Sequence, residues 1–539
     1  MIVKEGLFIK NEDGGMKGMA TVAAWKGLEP TLGWMIRKGT EKQPDAEALV
    51  VDGKRYTYAQ LTDRLNRLSN ALTEFGIRKG DKVGLLLYNG NEFVEGVFGI
   101  TKVGAVCVPL NYRLKQIELE YIINDSDIVV LIYDNEFDPL ISALKMKLAC
   151  VKQYIAVGKE GENGRHYEEL LTASDPGEPE TEVLETDLAC LIYTAGTTGL
   201  PKGVMLSHRN HLWSCINSML REGDCMPEKN VIIPIPLFHV AGFQRFLITL
   251  FLGGKIVLTR GFDAVRFLRL VQQEKTTATL MVPTQITMLT RTPNLDQYDS
   301  SSLIAFSFGA APSGLKLLQE IHSVFPNADS THCYGITETS ATASYLPASE
   351  FRKKMGSVGK KGHGYINIEL RVLNHELKDV KPMEVGEIII RGPNVMMGYY
   401  KDPDATAAAF FEGGWYKTGD MGMIDEDGYL FIVDRKKDMI ISGGENIYCP
   451  EVESVLNRYE KIVEASVIGV LDDLWGEVVR AIVVSKPGDE LTEQEVIDYC
   501  KSHLSCYKCP RSIVFVKSLP VSGTGKILKT VLREQYGKP

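Results

Sequence analysis

Tyr193-Thr194-Ala195-Gly196-Thr197-Thr198-Gly199-Leu200-Pro201-Lys202-Gly203 follows an apolar run, 188–193, that reads as a buried strand. Its three glycines let a loop turn N–H groups inward, because glycine tolerates positive φ. The threonines add hydroxyl donors and Lys202 adds a fixed positive charge. Such a loop at a strand end is a phosphate cradle and points to a nucleotide. It is not a Walker A loop, which closes on Gly-Lys-Ser/Thr; here Lys202 lies between Pro201 and Gly203.

N-terminal to the loop, helix and strand patterns alternate. Leu61, Leu65, Leu68 and Leu72 recur at helical spacing and Gly76 is a plausible stop. A strand pattern follows at 82–87, a helix marked by Phe93, Val97 and Ile100, then strands at 105–109 and 128–133. This αβαβ rhythm predicts a doubly wound parallel sheet, whose ligands sit at strand ends. At the other end, Asp434-Arg435-Lys436-Lys437-Asp438 is a dense charge run between two apolar strand patterns. The stretch beyond it, about 100 residues, is long enough for its own core. The expected organisation is an N-terminal extension at 1–20, a large domain at 21–434, a hinge at 435–438 and a C-terminal lid at 439–539.

Composition narrows the partners. A chain of 539 residues, 44% apolar, exceeds one ordinary domain and can bury large cores. A net charge of −9 gives no footprint for nucleic acid. Arg352, Lys353, Lys354, Lys360 and Lys361 form a local basic run, read as a solvated loop, with anionic lipid or CoA phosphates as the second reading. Ten scattered cysteines suit a reducing cytosol, so the expected location is cytoplasmic. Cys500, Cys506 and Cys509 with His503 lack a second Cys-x-x-Cys pair and read as a turn rather than a metal site. No stretch has the membrane-span pattern, which leaves at most a peripheral membrane contact. The oligomeric state is open, a homodimer included.

Further clusters carry chemistry. Gly309-Ala310-Ala311-Pro312 is a small-residue turn after an apolar run. Tyr334-Gly335-Ile336-Thr337-Glu338 offers a ring, a hydroxyl and a carboxylate. Asp420 follows Gly419, Arg435 follows Asp434, and Ser442-Gly443-Gly444 comes next. Gly523-Thr524-Gly525-Lys526 sets a lysine on a glycine-rich loop. An aromatic face can stack on adenine, a carboxylate can accept ribose hydroxyls, and Glu338 can hold Mg²⁺ as a hard oxygen ligand.

In this order and spacing the clusters resemble the adenylate-forming superfamily: acyl-CoA synthetases, luciferases and the adenylation domains of peptide synthetases. The resemblance runs from Tyr56 to Arg533. It implies an α/β fold with a large N-terminal domain of packed αβαβ sheets and a small mobile α+β C-terminal domain. It also implies two steps: a carboxylate attacks the α-phosphate of Mg·ATP, giving acyl-adenylate and pyrophosphate, and a thiol, that of coenzyme A, then displaces AMP.

By the same resemblance, Thr194, Gly196, Thr197, Thr198, Gly199 and Lys202 hold the β- and γ-phosphates. Gly309, Ala310, Ala311, Pro312 and Tyr334 frame adenine. Thr337 touches the α-phosphate, Glu338 the magnesium, and Asp420 and Arg435 the ribose. Lys437 is the hinge residue. Ser442, Gly443 and Gly444 line the pantetheine path. Lys526 bridges the carboxylate and the α-phosphate, where a cation offsets the repulsion between two anions.

Pro236-Leu237-Phe238-His239-Val240-Ala241-Gly242 chooses among the branches. No Asp or Glu lies between Asn230 and Lys255, so no acid is there to pair with a free amino acid's amine. His239 matches the residue that gates the acyl pocket in acyl-CoA synthetases. The run from Gly525 to Arg533 also looks like fatty acyl-CoA synthetases. The chain departs from the family at Ala195, usually serine, at Cys449 before Pro450, and at Phe308 and Cys333, where relatives often have small residues. Bulk from Phe308 and Cys333 in the acyl pocket would favour a short-to-medium aliphatic, alicyclic or aryl acid. The alternatives are a long-chain acyl-CoA synthetase and an acyl-AMP ligase that loads a carrier protein.

Overall fold

The computed structural model describes residues 8–10, 16–18, 30–158, 163–194, 200–219, 230–309, 315–360, 367–443, 445–488, 491–522 and 526–538. Within the 1–20 stretch the strands Phe8–Lys10 and Met16–Gly18 pair antiparallel. Ala195, Gly196, Thr197, Thr198 and Gly199 of the expected phosphate loop lie outside the described residues. So do Ala310, Ala311, Pro312, Lys361, Gly444 and the three residues before Lys526.

The leucines at helical spacing form the helix Tyr58–Glu74. Thr57 opens it with a capping box closed by Gln60, and Gly76 ends it at φ +79°. Its buried face, Leu61, Leu65, Leu68 and Leu72, packs on the helix Asn91–Lys102, where Gly99 meets Leu68. The intervening strands Lys82–Leu86, Val106–Pro109 and Ile128–Asp134 pair in parallel.

Two eight-stranded sheets result. The first runs from its edge strand Gly398–Tyr399 through Lys202–Ser207 and Leu188–Thr194 into the parallel strands just named. The second has a parallel centre that includes Asn230–Ile233, Ala278–Met281, Ala305–Gly309 and Asp329–Tyr334. The largest core cluster joins both sheets through the helix Val240–Phe251, whose Phe243, Phe246 and Leu250 are fully buried. Burying both faces of a parallel sheet explains the unbroken apolar runs in these strands.

A third, antiparallel sheet of six strands is not apparent from the αβαβ rhythm. It includes Glu369–Leu373, Val385–Arg391, Trp415–Ile424 and Tyr429–Arg435. On Trp415–Ile424 burial alternates residue by residue, as period-2 side-chain placement requires. The separate C-terminal domain is a five-stranded sheet around the long pair Ile462–Asp472 and Gly476–Ser485. All its pairings are antiparallel except that of Gly476–Ser485 with Ser512–Phe515. It has its own core of Val452, Ile447, Val467 and Val483.

Candidate active site

Asp420 and Arg435 stand opposite each other in the register of Trp415–Ile424 and Tyr429–Arg435. Arg435 Nε lies 2.6 Å from Asp420 Oδ1, and the Tyr334 hydroxyl donates to Asp420 Oδ2 at 2.6 Å. Asp420 is 3% exposed and Tyr334 8%. Buried charge of this kind is tolerable only with full pairing, which both oxygens have. Each oxygen still keeps a second lone pair for another donor. Tyr334 reaches the cluster from the second sheet, so the site is the seam between two sheets. Beside it, Gly309 faces Cys333, and a Cβ on Gly309 would sit 2.2 Å from the Cys333 carbonyl oxygen. That backbone approach admits only glycine.

Toward the phosphate loop, Thr194 and Lys202 are register partners at the two ends of the connection. Lys202 Nζ is 3.0 Å from Asp402 Oδ2 and 5.4 Å from the centroid of the Tyr399 ring. Glu338 sits on the short turn Thr337–Thr339, just beyond Tyr334, and accepts from the Tyr399 hydroxyl at 3.2 Å. Thr337 is buried next to it. Burial raises the Glu338 carboxyl above its ordinary value. Among the described residues no group of three or more His, Cys, Asp or Glu is disposed to hold a metal. A lone desolvated carboxylate fits Mg²⁺ that arrives with a nucleotide, because that ion keeps phosphate and water as its other ligands.

Lys526 belongs to the C-terminal domain, and its charge is felt by Arg435, Asp420 and His239, which puts it at the cleft beside that seam. Its segment is held by the Val521–Ile527 bridge and by hydrogen bonds between Ser522 and Lys526 of 2.7 and 3.1 Å. Solvent reaches the side chain, yet protein walls surround it. Burial, then the charge of Arg435, push its ammonium down to about 8. Burial, then the charge of Lys526, push the His239 imidazole down to about 4. His239 caps the helix Val240–Phe251, its Nδ1 accepting from the Ala241 N–H at 3.3 Å. The proton of the neutral ring is therefore on Nε2.

Two expectations about the acyl pocket separate. Phe308 is 0% exposed, stacked on His332 at 4.6 Å and edge-on to Phe351 at 5.5 Å. It belongs to a core with Phe306, Met281 and Phe325, so the structure does not bring it to the cleft. The reason is strand alternation: Phe306 and Phe308 share the core face. Cys333 is half-buried, one residue along from His332 and so on the opposite face of its strand. Two residues of the basic run are committed within the fold: Lys354 pairs with Asp425 at 2.8 Å and Asp427 at 2.5 Å, and Lys360 lies over the Tyr429 ring.

Ser442 and Gly443 find their partners within the C-terminal domain. Ser442 pairs with Glu445 and Gly476. Gly443 has φ +58°, donates to the Trp475 carbonyl at 2.7 Å, and leaves 2.7 Å between a would-be Cβ and the Trp475 ring. Around Lys437 the chain is gripped on both sides. Lys436 donates to the Gly419 carbonyl at 2.9 Å and pairs with Glu387 at 2.8 Å. On the other side Asp438 pairs with Arg533 at 2.8 Å.

Comparison with known proteins follows this geometry. Residues 36–400 match the AMP-binding enzyme family, and residues 451–526 match the AMP-binding enzyme C-terminal domain. The chain belongs to the AMP-binding enzyme family. A feruloyl-CoA synthase of an Amycolatopsis species is 36% identical over 94% of this chain and 98% of its own length. A long-chain-fatty-acid–CoA ligase of Mycobacterium tuberculosis is 34% identical over the same shares, 94% and 98%. The O-succinylbenzoate coenzyme A synthetase of Bacillus subtilis, solved with ATP and a magnesium ion, superposes with a TM-score of 0.80 at 31% identity, covering 93% of this chain and 99% of that one. The expected kinship with adenylate-forming enzymes and their fold therefore holds, and CoA ligases of this family use ATP, Mg²⁺ and CoA. Among the described residues no helix is long and apolar enough to cross a membrane.

Sequence reasoning passed over Tyr399 and Asp402. Gly398–Tyr399 is a two-residue edge strand, too short for any periodicity to flag. The remaining signal was the aromatic pair Tyr399-Tyr400 followed by Lys401-Asp402-Pro403.

Proposed function

We propose that this chain is an AMP-forming ligase that joins a carboxylic acid to the thiol of CoA. The observation that carries the reading is the Tyr334–Asp420–Arg435 cluster, joined by contacts of 2.6 Å, with the charge of Lys526 from the C-terminal domain felt by Arg435 and Asp420. In the first step a carboxylate oxygen of the acid attacks the α-phosphorus of ATP, the α–β bridging bond breaks, and pyrophosphate leaves with its electron pair. In the second step the CoA sulfur attacks the acyl carbonyl, the thiol proton is lost, and AMP departs.

The residues divide the work. Asp420 and Arg435 hold the ribose, and the Tyr334 ring with Gly309, Ala310, Ala311 and Pro312 frames adenine. Thr194, Gly196, Thr197, Thr198, Gly199 and Lys202 take the terminal phosphates, and Thr337 the α-phosphate. Magnesium, held by Glu338, would neutralise charge on the triphosphate. Lys526 lowers the repulsion between carboxylate and phosphate, a role for one preorganised charge worth about 10²–10³ in rate. His239 and Cys333 bound the acyl pocket, for a short-to-medium aliphatic, alicyclic or aryl acid.

The C-terminal domain, 439–539, turns about 435–438 relative to 21–434 between the two steps. Lys437 is the pivot, since its neighbours are gripped on either side. The turn brings Ser442, Gly443 and Gly444 to the cleft for the second step. The scatter of ten cysteines along a long chain supports a reducing, cytoplasmic setting.

The test is AMP release with Mg·ATP against acetate, decanoate, palmitate, benzoate, cyclohexanecarboxylate and 4-coumarate, each with and without CoA. CoA-dependent release with one acid class is expected. Pyrophosphate release without turnover by CoA would assign the acyl group to a carrier protein instead.

A further inference from the structure

Tyr399 touches both ends of the proposed triphosphate site. Its hydroxyl donates to Glu338 Oε1 at 3.2 Å and lies 3.5 Å from the Tyr416 hydroxyl. The face of its ring lies under Lys202 Nζ at 5.4 Å. The backbone repeats the link. Val204, two residues along from Lys202, is the register partner of Tyr399. The Tyr400 N–H donates to the Gly203 carbonyl at 2.8 Å, and the Met396 N–H donates to the Glu338 carbonyl at 2.8 Å. The Tyr399 N–H is anchored on Thr406 Oγ1 at 2.9 Å. One short edge strand thus ties the lysine strand to the Glu338 turn.

We propose that Tyr399 is a positioning residue that aligns Lys202 and Glu338 as one unit, its ring seating the ammonium and its hydroxyl fixing the carboxylate for a divalent cation. This rests on the reading of Glu338 as the magnesium carboxylate and Lys202 as the phosphate lysine. A flat ring attracts a cation to its face, and a phenol donating to one carboxylate oxygen leaves the other oriented for a metal. The two functions sit on different atoms of the same side chain, so they are separable. Tyr399→Phe keeps the ring and removes the hydroxyl; Tyr399→Leu removes both.

The experiment is calorimetric binding of ATP to the full chain, without divalent cation and across a Mg²⁺ titration, for the wild type, Tyr399→Phe, Tyr399→Leu, Glu338→Gln and the Tyr399→Phe/Glu338→Gln double variant. Tyr399→Phe is expected to bind metal-free ATP as the wild type does, and to need about fivefold more Mg²⁺ for half-maximal tightening, the worth of one hydrogen bond. Tyr399→Leu adds a loss of about threefold in metal-free ATP affinity. In the double variant the Phe substitution costs nothing beyond Glu338→Gln, the non-additivity of a shared function. A Mg²⁺ requirement unchanged by Tyr399→Phe but raised by Glu338→Gln overturns the proposal and leaves the reading of Glu338 standing. A requirement unchanged by Glu338→Gln overturns both. Equal weakening of every binding constant, with a lowered Tm, would mark Tyr399 as merely structural.

Discussion

The Asp420 cluster and the Lys526 segment face one cleft and are built in opposite ways. Asp420, Arg435 and Tyr334 lie on three strands from two sheets, Asp420 and Tyr334 buried and Arg435 half-buried, joined by contacts of 2.6 Å. Lys526 rides on a segment held by an isolated bridge and bonds to Ser522 four residues away. A group that binds the same fragment in both half-reactions gains from a fixed scaffold. A group needed in only one must be able to leave, and a thinly held segment permits that.

The largest expected effect would break or establish this contrast. Lys526→Ala should slow pyrophosphate-forming adenylation by about 10²–10³. Thioester formation from pre-made acyl-adenylate should be spared, as read by CoA-dependent AMP release from the synthetic intermediate. Equal loss in both assays would mean that Lys526 stays at the cleft throughout, and domain alternation would fall.

Removing the fixed side should look different. Asp420→Ala leaves the Arg435 guanidinium and the Tyr334 hydroxyl without their acceptor, so it should destabilise the chain by about 2 kcal/mol in urea unfolding, the scale of a hydrogen bond to a charged group. It should weaken ATP and AMP binding together, since the ribose is common to both. A variant that lost ATP binding alone would detach Asp420 from the ribose.

pH separates the two regions again. With the Lys526 ammonium at about 8, the cation that adenylation needs is present below that value and is lost as pH rises through it. The kcat/KM of adenylation should fall about tenfold per unit well above pH 8, and the limb should vanish in Lys526→Ala. The same limb in the thioester half-reaction would contradict the contrast.

The smallest effects sharpen the assignment of the pocket. Cys333→Gly should shift the ratio of kcat/KM toward bulkier acids by about tenfold, the worth of a small volume change in an apolar pocket. Phe308→Ala should leave that ratio alone and cost stability instead, about 3 kcal/mol for a core aromatic, measured by the urea midpoint. A selectivity change in Phe308→Ala would return that ring to the cleft.

What could be read in advance divides along similar lines. The helix Tyr58–Glu74 and the parallel strands were legible because periodicity and caps are local, and the strands are apolar on both faces. Lys202, Glu338, Asp420, Arg435 and Lys526 stood out as charged residues beside glycines and turns. The placement of Phe308 depended on which face of one strand points inward, and a sequence neighbour of a functional turn can look away from it. Tyr399 and Asp402 were hidden because their partners are far away in sequence, near Lys202 and Glu338. The antiparallel sheet went unread because, among its described strands, helix and strand do not alternate: turns join most of them, and the helix Pro403–Ala409 comes between Val385–Arg391 and Trp415–Ile424 alone.

The ion pair between Lys202 and Asp402 gives the proposed phosphate lysine a counter-ion within the fold itself. Asp402 uses Oδ2 for the lysine and Oδ1 to accept from the Ala405 N–H at the start of the helix Pro403–Ala409. With Lys202 in the proposed role, a triphosphate does not meet a bare charge but displaces one anion with another. The displaced carboxylate keeps its seat on the Ala405 N–H while it waits. In that role, Asp402 would reclaim the ammonium when pyrophosphate departs, and the electrostatic cost of letting the product go would be partly returned at that moment. On the proposed role of Lys202, the pair would act as a return spring on product release as much as a contribution to the folded state.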